Sequence, residues 1–231
     1  MEWSIGMFNC FGPLNERARN AMPVLSEMMH YARTHAVPGK LKPGSWAEAI
    51  HSAAAAGEVP PEAVPVMMID YMGPSLDTTI FAISSGVWLF ANQPDQWDLV
   101  RDDPSLIARA INEVLRLEAP VQGFSRCVAR EYDLDGVRLP AGSRTIVFYG
   151  AADRDPRQFA DPDRFDVRRD NAGRHMAFGA GPHMCVGMSL AKLEMRALFV
   201  ALARRVKRFH IEAEERVLNN PLRGFSKVNV E

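Results

Sequence analysis

The chain changes character at Pro120, and that change bounds the folds open to it. Upstream, apolar residues recur at helical spacing between proline and glycine breaks. Leu14 to Ala36 carries Met22, Leu25, Met28, Met29 and Ala32 at that spacing, with Pro38-Gly39 following as a stop. Ser45 to Ala56 is alanine-rich and ends at Gly57, a residue suited to terminating a helix. Pro60-Pro61 opens a helical pattern that runs to about Gln93, long enough to cross a whole domain, and Pro94 closes it. Pro104 opens a further helix over about Ser105 to Glu118, ended by Ala119-Pro120. Downstream, Gly123, Asp135-Gly136, Pro140 and Gly142 punctuate short runs, VRL and RTIVFY, that read as strands and hairpins. A proline- and charge-rich meander, RDPRQFADPDRFDVRRD, leads to a glycine-rich loop from Phe178 to Gly187. A helix from about Met188 to Lys207 and two strand-like ends, RFHIEA and FSKVNVE, complete the chain. The predicted class is mainly α with a minor β part, in one domain over residues 1–231.

Composition excludes several alternatives. A chain of 231 residues with 47% hydrophobic and 24% charged residues is not disordered. It can bury roughly 70% of its unfolded surface, so folding requires neither a disulfide framework nor a metal. Lys plus Arg is 27 against 28 for Asp plus Glu, which gives no support to nucleic-acid binding. Cys10, Cys127 and Cys185 form no Cys-x-x-Cys pair and cannot all be bridged, so a reduced intracellular chain is the simpler reading. The opening MEWSIGMFNCFGPLNER lacks a basic stretch followed by an apolar run. Ile80 to Ala91, the most apolar stretch, is interrupted by two serines and a glycine and falls short of the ~20 residues a membrane helix needs. A soluble, cytoplasmic protein without membrane association is expected.

The chemistry concentrates in Phe178-Gly179-Ala180-Gly181-Pro182-His183-Met184-Cys185-Val186-Gly187. Three glycines let this backbone pass close to something large. The cysteine sits where the next helix begins, and a helix N-terminus favours thiolate over thiol. A lone loop-held thiolate suits a single axial bond to a metal whose other positions are filled elsewhere, which describes haem iron better than tetrahedral zinc. Taken singly, a cysteine is more often a small core hydrophobe. The complete loop reverses that balance.

This loop resembles the cysteine-ligand signature of the cytochrome P-450 superfamily, Phe-Gly-x-Gly-x-(His/Arg)-x-Cys-x-Gly, at every defined position. The resemblance implies haem b as cofactor and Cys185 as its axial thiolate. Phe178 would pack against the haem on the cysteine side, and His183 would reach a propionate. Gly179 and Gly187 belong to the same cofactor-binding loop, with backbone N–H groups past Cys185 tuning the sulfur. Arg126, in FSRCVAR, stands where the family places a propionate-binding arginine. On the long helix, Asp77-Thr78 matches the acid–threonine pair that ends the family's oxygen-groove motif, a proton relay. Pro74-Ser75 departs from the small Ala/Gly-Gly residues commoner there, and Pro74 itself should kink the helix and free the carbonyl of Asp70. Glu113 and Arg116, three apart on one helix face, match the family's Glu-x-x-Arg, with Arg164 of the meander as the implied third, structural member.

The motifs follow one another in the family's order. They imply a monooxygenase that inserts one atom of O2 into a small organic substrate, with electrons from a ferredoxin or flavin reductase. Complete members are normally near 400 residues, so the resemblance covers the C-terminal portion and implies a chain lacking its N-terminal part. A truncated haem-binding remnant and a peroxide-using haem-thiolate enzyme are the alternatives. The intact Asp77-Thr78 pair speaks against both.

Overall fold

The computed structural model describes residues 2–231, which form two compact units, one ending at Thr78 and the other running from Thr79 to Glu231. The first unit is helical: α1 (Glu2–Cys10), α2 (Glu16–Thr34), α3 (Trp46–Ala55) and α4 (Val64–Ser75). Its helix starts are chemically marked. Asn15 caps α2 by accepting from the Ala18 N–H at 3.0 Å. Ser45 caps α3 by accepting from Glu48 N–H at 3.2 Å, while the Glu48 carboxylate accepts from Gly44 N–H at 2.6 Å. Gly57 follows α3 with a φ of 77°, the left-handed conformation expected of a terminating glycine.

Helix α1 was not foreseen, because its short apolar run carries little helical periodicity. It packs on α2 and α4 through glycines: a Cβ on Gly6 would lie 2.7 Å from Val24 Cγ1, and one on Gly73 would lie 2.4 Å from Met7 Sδ. Along α2 the buried stripe is Ala18, Ala21, Met28 and Ala32, whereas Met22, expected on the core face, is exposed.

The helical pattern opened by Pro60-Pro61 is divided. A 3-10 turn at Pro61–Ala63 precedes α4, and α5 (Thr78–Asn92) follows after a two-residue turn at Leu76–Asp77. The interruption follows from Pro74, which lies in the last turn of α4 and lacks an N–H to continue the ladder. Pro94 does more than close α5. It is the first residue of α6 (Pro94–Asp102), the position where its missing N–H costs nothing.

The second unit continues with a 3-10 turn at Pro104–Leu106, α7 (Ile107–Leu117), the short α8 (Tyr149–Ala152) and α9 (Met188–Ala203). Three two-stranded antiparallel sheets accompany them. β1 (Gly123–Cys127) pairs with β4 (Arg144–Phe148), β2 (Tyr132–Leu134) with β3 (Val137–Leu139), and β5 (Ile211–Arg216) with β6 (Phe225–Val230). The core gathers Phe90, Trp97, Val114, Phe165, Met195 and Phe199 from α5, α6, α7, the meander and α9, with Phe90 in edge contact with both Phe165 and Phe199. This packing fixes α9, and the loop carrying Cys185 leads directly into it.

Candidate cofactor site

The Cys185 loop is shaped by its backbone. Gly179 and Gly181 have φ of 68° and 73°, which side-chain-bearing residues rarely adopt. Cys185 N–H donates to the Phe178 carbonyl at 3.0 Å, and Met184 N–H to Gly181 at 3.0 Å, closing two turns. Cys185 is a free, exposed thiol. Gly187, next to the start of α9, would bring a Cβ to 3.7 Å from its Sγ. Phe178 is half-buried and packs on the core, with the Lys192 ammonium 5.5 Å from its ring centroid. His183 ends the 3-10 turn Gly181–His183 and is exposed.

Two residues that sequence reasoning passed over anchor the segment entering this loop. Asp153, fully buried just past α8, accepts from Met176 N–H at 2.6 Å, while its other carboxylate oxygen has no partner. Burial holds its pKa up at about 6, against the opposing pull of the Met176 N–H, Arg116 and Arg154. His175 accepts from Ala177 N–H through Nδ1 at 3.1 Å, and its ring lies 5.7 Å from that of Phe178. Burial, with the charges of Lys192 and Arg116, lowers its pKa to about 4, so the imidazole is neutral at physiological pH.

Arg126 lies on β1, and its guanidinium donates to the Ser125 carbonyl at 3.0 Å and to the Tyr149 phenol oxygen at 3.2 Å. The β1–β4 pair thereby brings a cation to the edge of the Cys185 loop.

Glu113 and Arg116, both fully buried, centre an ion network that holds the meander. Arg116 uses all its N–H donors: Nε and one Nη2–H on Glu113 at 2.7 and 2.8 Å, Nη1 on the carbonyls of Asp153 and Pro162 at 2.8 and 2.6 Å, and Nη2 on the Arg164 carbonyl at 3.2 Å. The third charged member is Arg169, whose Nε donates to Glu113 Oε1 at 3.0 Å. This corrects the sequence expectation: Arg164 contributes its carbonyl oxygen, and its side chain is exposed. The irregular meander turns the Arg164 side chain outward, and no periodicity in the sequence marks that turn.

Asp77 and Thr78 belong to the first unit. Asp77 is fully buried, and neither carboxylate oxygen has a hydrogen-bond partner among the described residues. Burial raises its pKa above the ordinary carboxylate value, and the neighbouring Ser4 hydroxyl opposes this only in part. Thr78 Oγ1 donates to the Pro74 carbonyl at 3.0 Å, which leaves its lone pairs free to accept.

Among the described residues no group of three or more His, Cys, Asp and Glu side chains could hold a metal ion by itself. A single exposed thiol on a glycine-built loop, with Arg126 and His183 as cationic or hydrogen-bonding neighbours in the same unit, fits a metal that arrives in its own anionic macrocycle. No helix among the described residues is long and apolar enough to cross a membrane.

Comparisons with known proteins agree with this arrangement. The family model described as Cytochrome P450 matches residues 91–229. Cytochrome p450 CYP199A2 of Rhodopseudomonas palustris is 37% identical over 226 residues, covering 97% of this chain and 55% of that protein. Linalool 8-monooxygenase of Pseudomonas putida is 36% identical over 155 residues, 67% of this chain and 38% of the relative. Among solved structures, CYP164A2 of Mycobacterium smegmatis superposes with a TM-score of 0.91 at 25% identity, over 99% of this chain and 61% of its own. The chain thus spans little more than half the length of the relatives it matches most fully. The family binds haem. Sequence, fold and the thiol-bearing loop agree: the chain belongs to the cytochrome P450 family.

Proposed function

We propose that this chain is the larger part of a single catalytic domain of a haem-thiolate monooxygenase, acting on a small organic substrate with electrons from a ferredoxin or flavin reductase. The observation that carries the reading is the exposed Cys185 thiol at the end of a loop whose glycine backbone leaves its face open. Haem bound there supplies the oxygen-activating redox chemistry.

The chain's own residues then have distinct tasks. Cys185 Sγ would hold the haem iron, and Gly179 and Gly187 keep the loop around it free of side chains. Phe178 would back the sulfur, while Arg126 and His183 would hold the cofactor's carboxylates by charge and hydrogen bonding. Asp77, buried and with its pKa raised by that burial, is the acid that would supply a proton. Thr78 Oγ1, oriented by its bond to the Pro74 carbonyl, receives and passes that proton. Glu113, Arg116 and Arg169 hold the meander and take no part in the chemistry.

The ferrous carbon-monoxide spectrum of haem-loaded protein tests the ligand. Cys185→Ser is expected to lose the red-shifted band of thiolate ligation, and Cys10→Ser and Cys127→Ser to retain it. An unchanged band in Cys185→Ser sinks the assignment. Thr78→Ala is expected to keep that band but to divert reducing equivalents to hydrogen peroxide, with coupling to product falling by roughly 10²-fold.

A further inference from the structure

Tyr149 is buried at the first position of α8, and its phenol oxygen stands between Arg126 and the Gly179 turn. It accepts from Arg126 Nη2 at 3.2 Å, and it lies 3.4 Å from where a Cβ on Gly179 would stand. Its own backbone is fixed independently, since Tyr149 N–H donates to the Gln122 carbonyl at 2.8 Å and its carbonyl accepts from Asp153 N–H at 2.9 Å. The ring also meets Phe124 of β1 edge-on, with centroids 6.4 Å apart. A phenol held this firmly is a fixed acceptor for a flexible guanidinium. Left to itself, an arginine on a short two-stranded sheet samples many rotamers, and ordering them on binding costs free energy. Held at one N–H by Tyr149 and at another by the Ser125 carbonyl, Arg126 keeps its remaining donors directed outward, ready for an anion.

We infer that Tyr149 is a positioning residue for the cofactor. It pre-orients Arg126 toward a haem carboxylate and sets the spacing between that cation and the Gly179 turn of the Cys185 loop. The inference rests on the reading of Arg126 as a carboxylate-binding residue and adds the group that aims it.

A double-mutant cycle on haem release tests it. The haem-loaded protein, Tyr149→Phe, Arg126→Ala and the double variant are each mixed with excess apomyoglobin, and the transfer rate is followed optically. Removing one hydroxyl leaves the ring packing in place, so the thermal melt of Tyr149→Phe should match the parent while haem release speeds up roughly three- to tenfold. Arg126→Ala should release haem at least as fast, and Tyr149→Phe should add nothing in that background. Equal effects of Tyr149→Phe with and without Arg126 would overturn the inference and mark the phenol as structural. An unchanged release rate in Tyr149→Phe alone, with Arg126→Ala still accelerated, would overturn it while sparing the reading of Arg126. An unchanged rate in Arg126→Ala would overturn both.

Discussion

Arg116 and Asp77 are both ionisable and both fully buried, yet their surroundings are opposite. Every N–H of Arg116 meets an acceptor, and its partner Glu113 also accepts from Asp166 N–H and from Arg169. Neither oxygen of Asp77 has a partner in hydrogen-bond geometry among the described residues, and the nearby Ser4 hydroxyl offsets its burial only in part. A buried charge with complete partners fixes a shape, and removing one partner exposes the full desolvation penalty of the other. A buried acid without partners fixes nothing. It keeps its proton longer than an exposed acid would, which is useful only to chemistry that draws on that proton.

Substitutions can break this contrast, the largest effect coming from Glu113. Glu113→Ala strands Arg116 and Arg169 and should cost about 3–5 kcal/mol, read as a collapsed denaturation midpoint and loss of haem uptake. A well-folded, haem-loaded Glu113→Ala protein would show that the network carries little.

Asp153 sits between the two cases, with one oxygen bonded and one orphaned. Its folded pKa of about 6 stands above the unfolded 3.8, so it favours the folded state below pH 3.8 and loses that advantage as pH rises through 6. The gap corresponds to about 3 kcal/mol as an upper bound. Asp153→Asn keeps an acceptor for Met176 N–H and should therefore raise stability at pH 7.5 by about 1–3 kcal/mol, a gain that shrinks in denaturant titrations carried down to pH 5. His175 runs the other way. Its folded pKa of about 4 lies below 6.5, so its contribution is present above pH 6.5 and is lost as pH falls toward 4.

Arg169→Ala should cost about 1–2 kcal/mol in the same titrations, because it removes a nearly buried bond to Glu113 and donors to three meander carbonyls. Arg164→Ala, which leaves the carbonyl in place, should stay within about 0.5 kcal/mol. Equal losses at the two positions would restore Arg164 to the network. The smallest change is expected for Asp77→Asn, where no bond is broken: stability should hold or rise, and only turnover should slow, with a larger solvent isotope effect.

What could be read from the sequence was what is local. The Cys185 loop is legible because its glycines, basic residue and cysteine must be adjacent to build one tight backbone path. The Gly57 stop is legible for the same reason. Helix α6 was missed because Pro94 was read only as an end, although a proline serves equally as a first helical residue. Arg169 was missed because an irregular meander has no period from which to infer side-chain direction. Tyr149 and Asp153 owe their roles to partners 23 residues away, Arg126 and Met176, which no spacing rule reaches.

The meander is gripped by its carbonyls. Arg116 and Arg169 together take the backbone oxygens of Asp153, Ala160, Asp161, Pro162 and Arg164, and none of the side chains at those positions. Two arginines thus read a path and ignore the letters along it. Drift at residues 160 and 164 should be nearly neutral, and a randomised library there should retain most of its folded members. Asp161, whose φ of 45° lies in left-handed territory, is the position where such a library should converge on glycine, asparagine and aspartate.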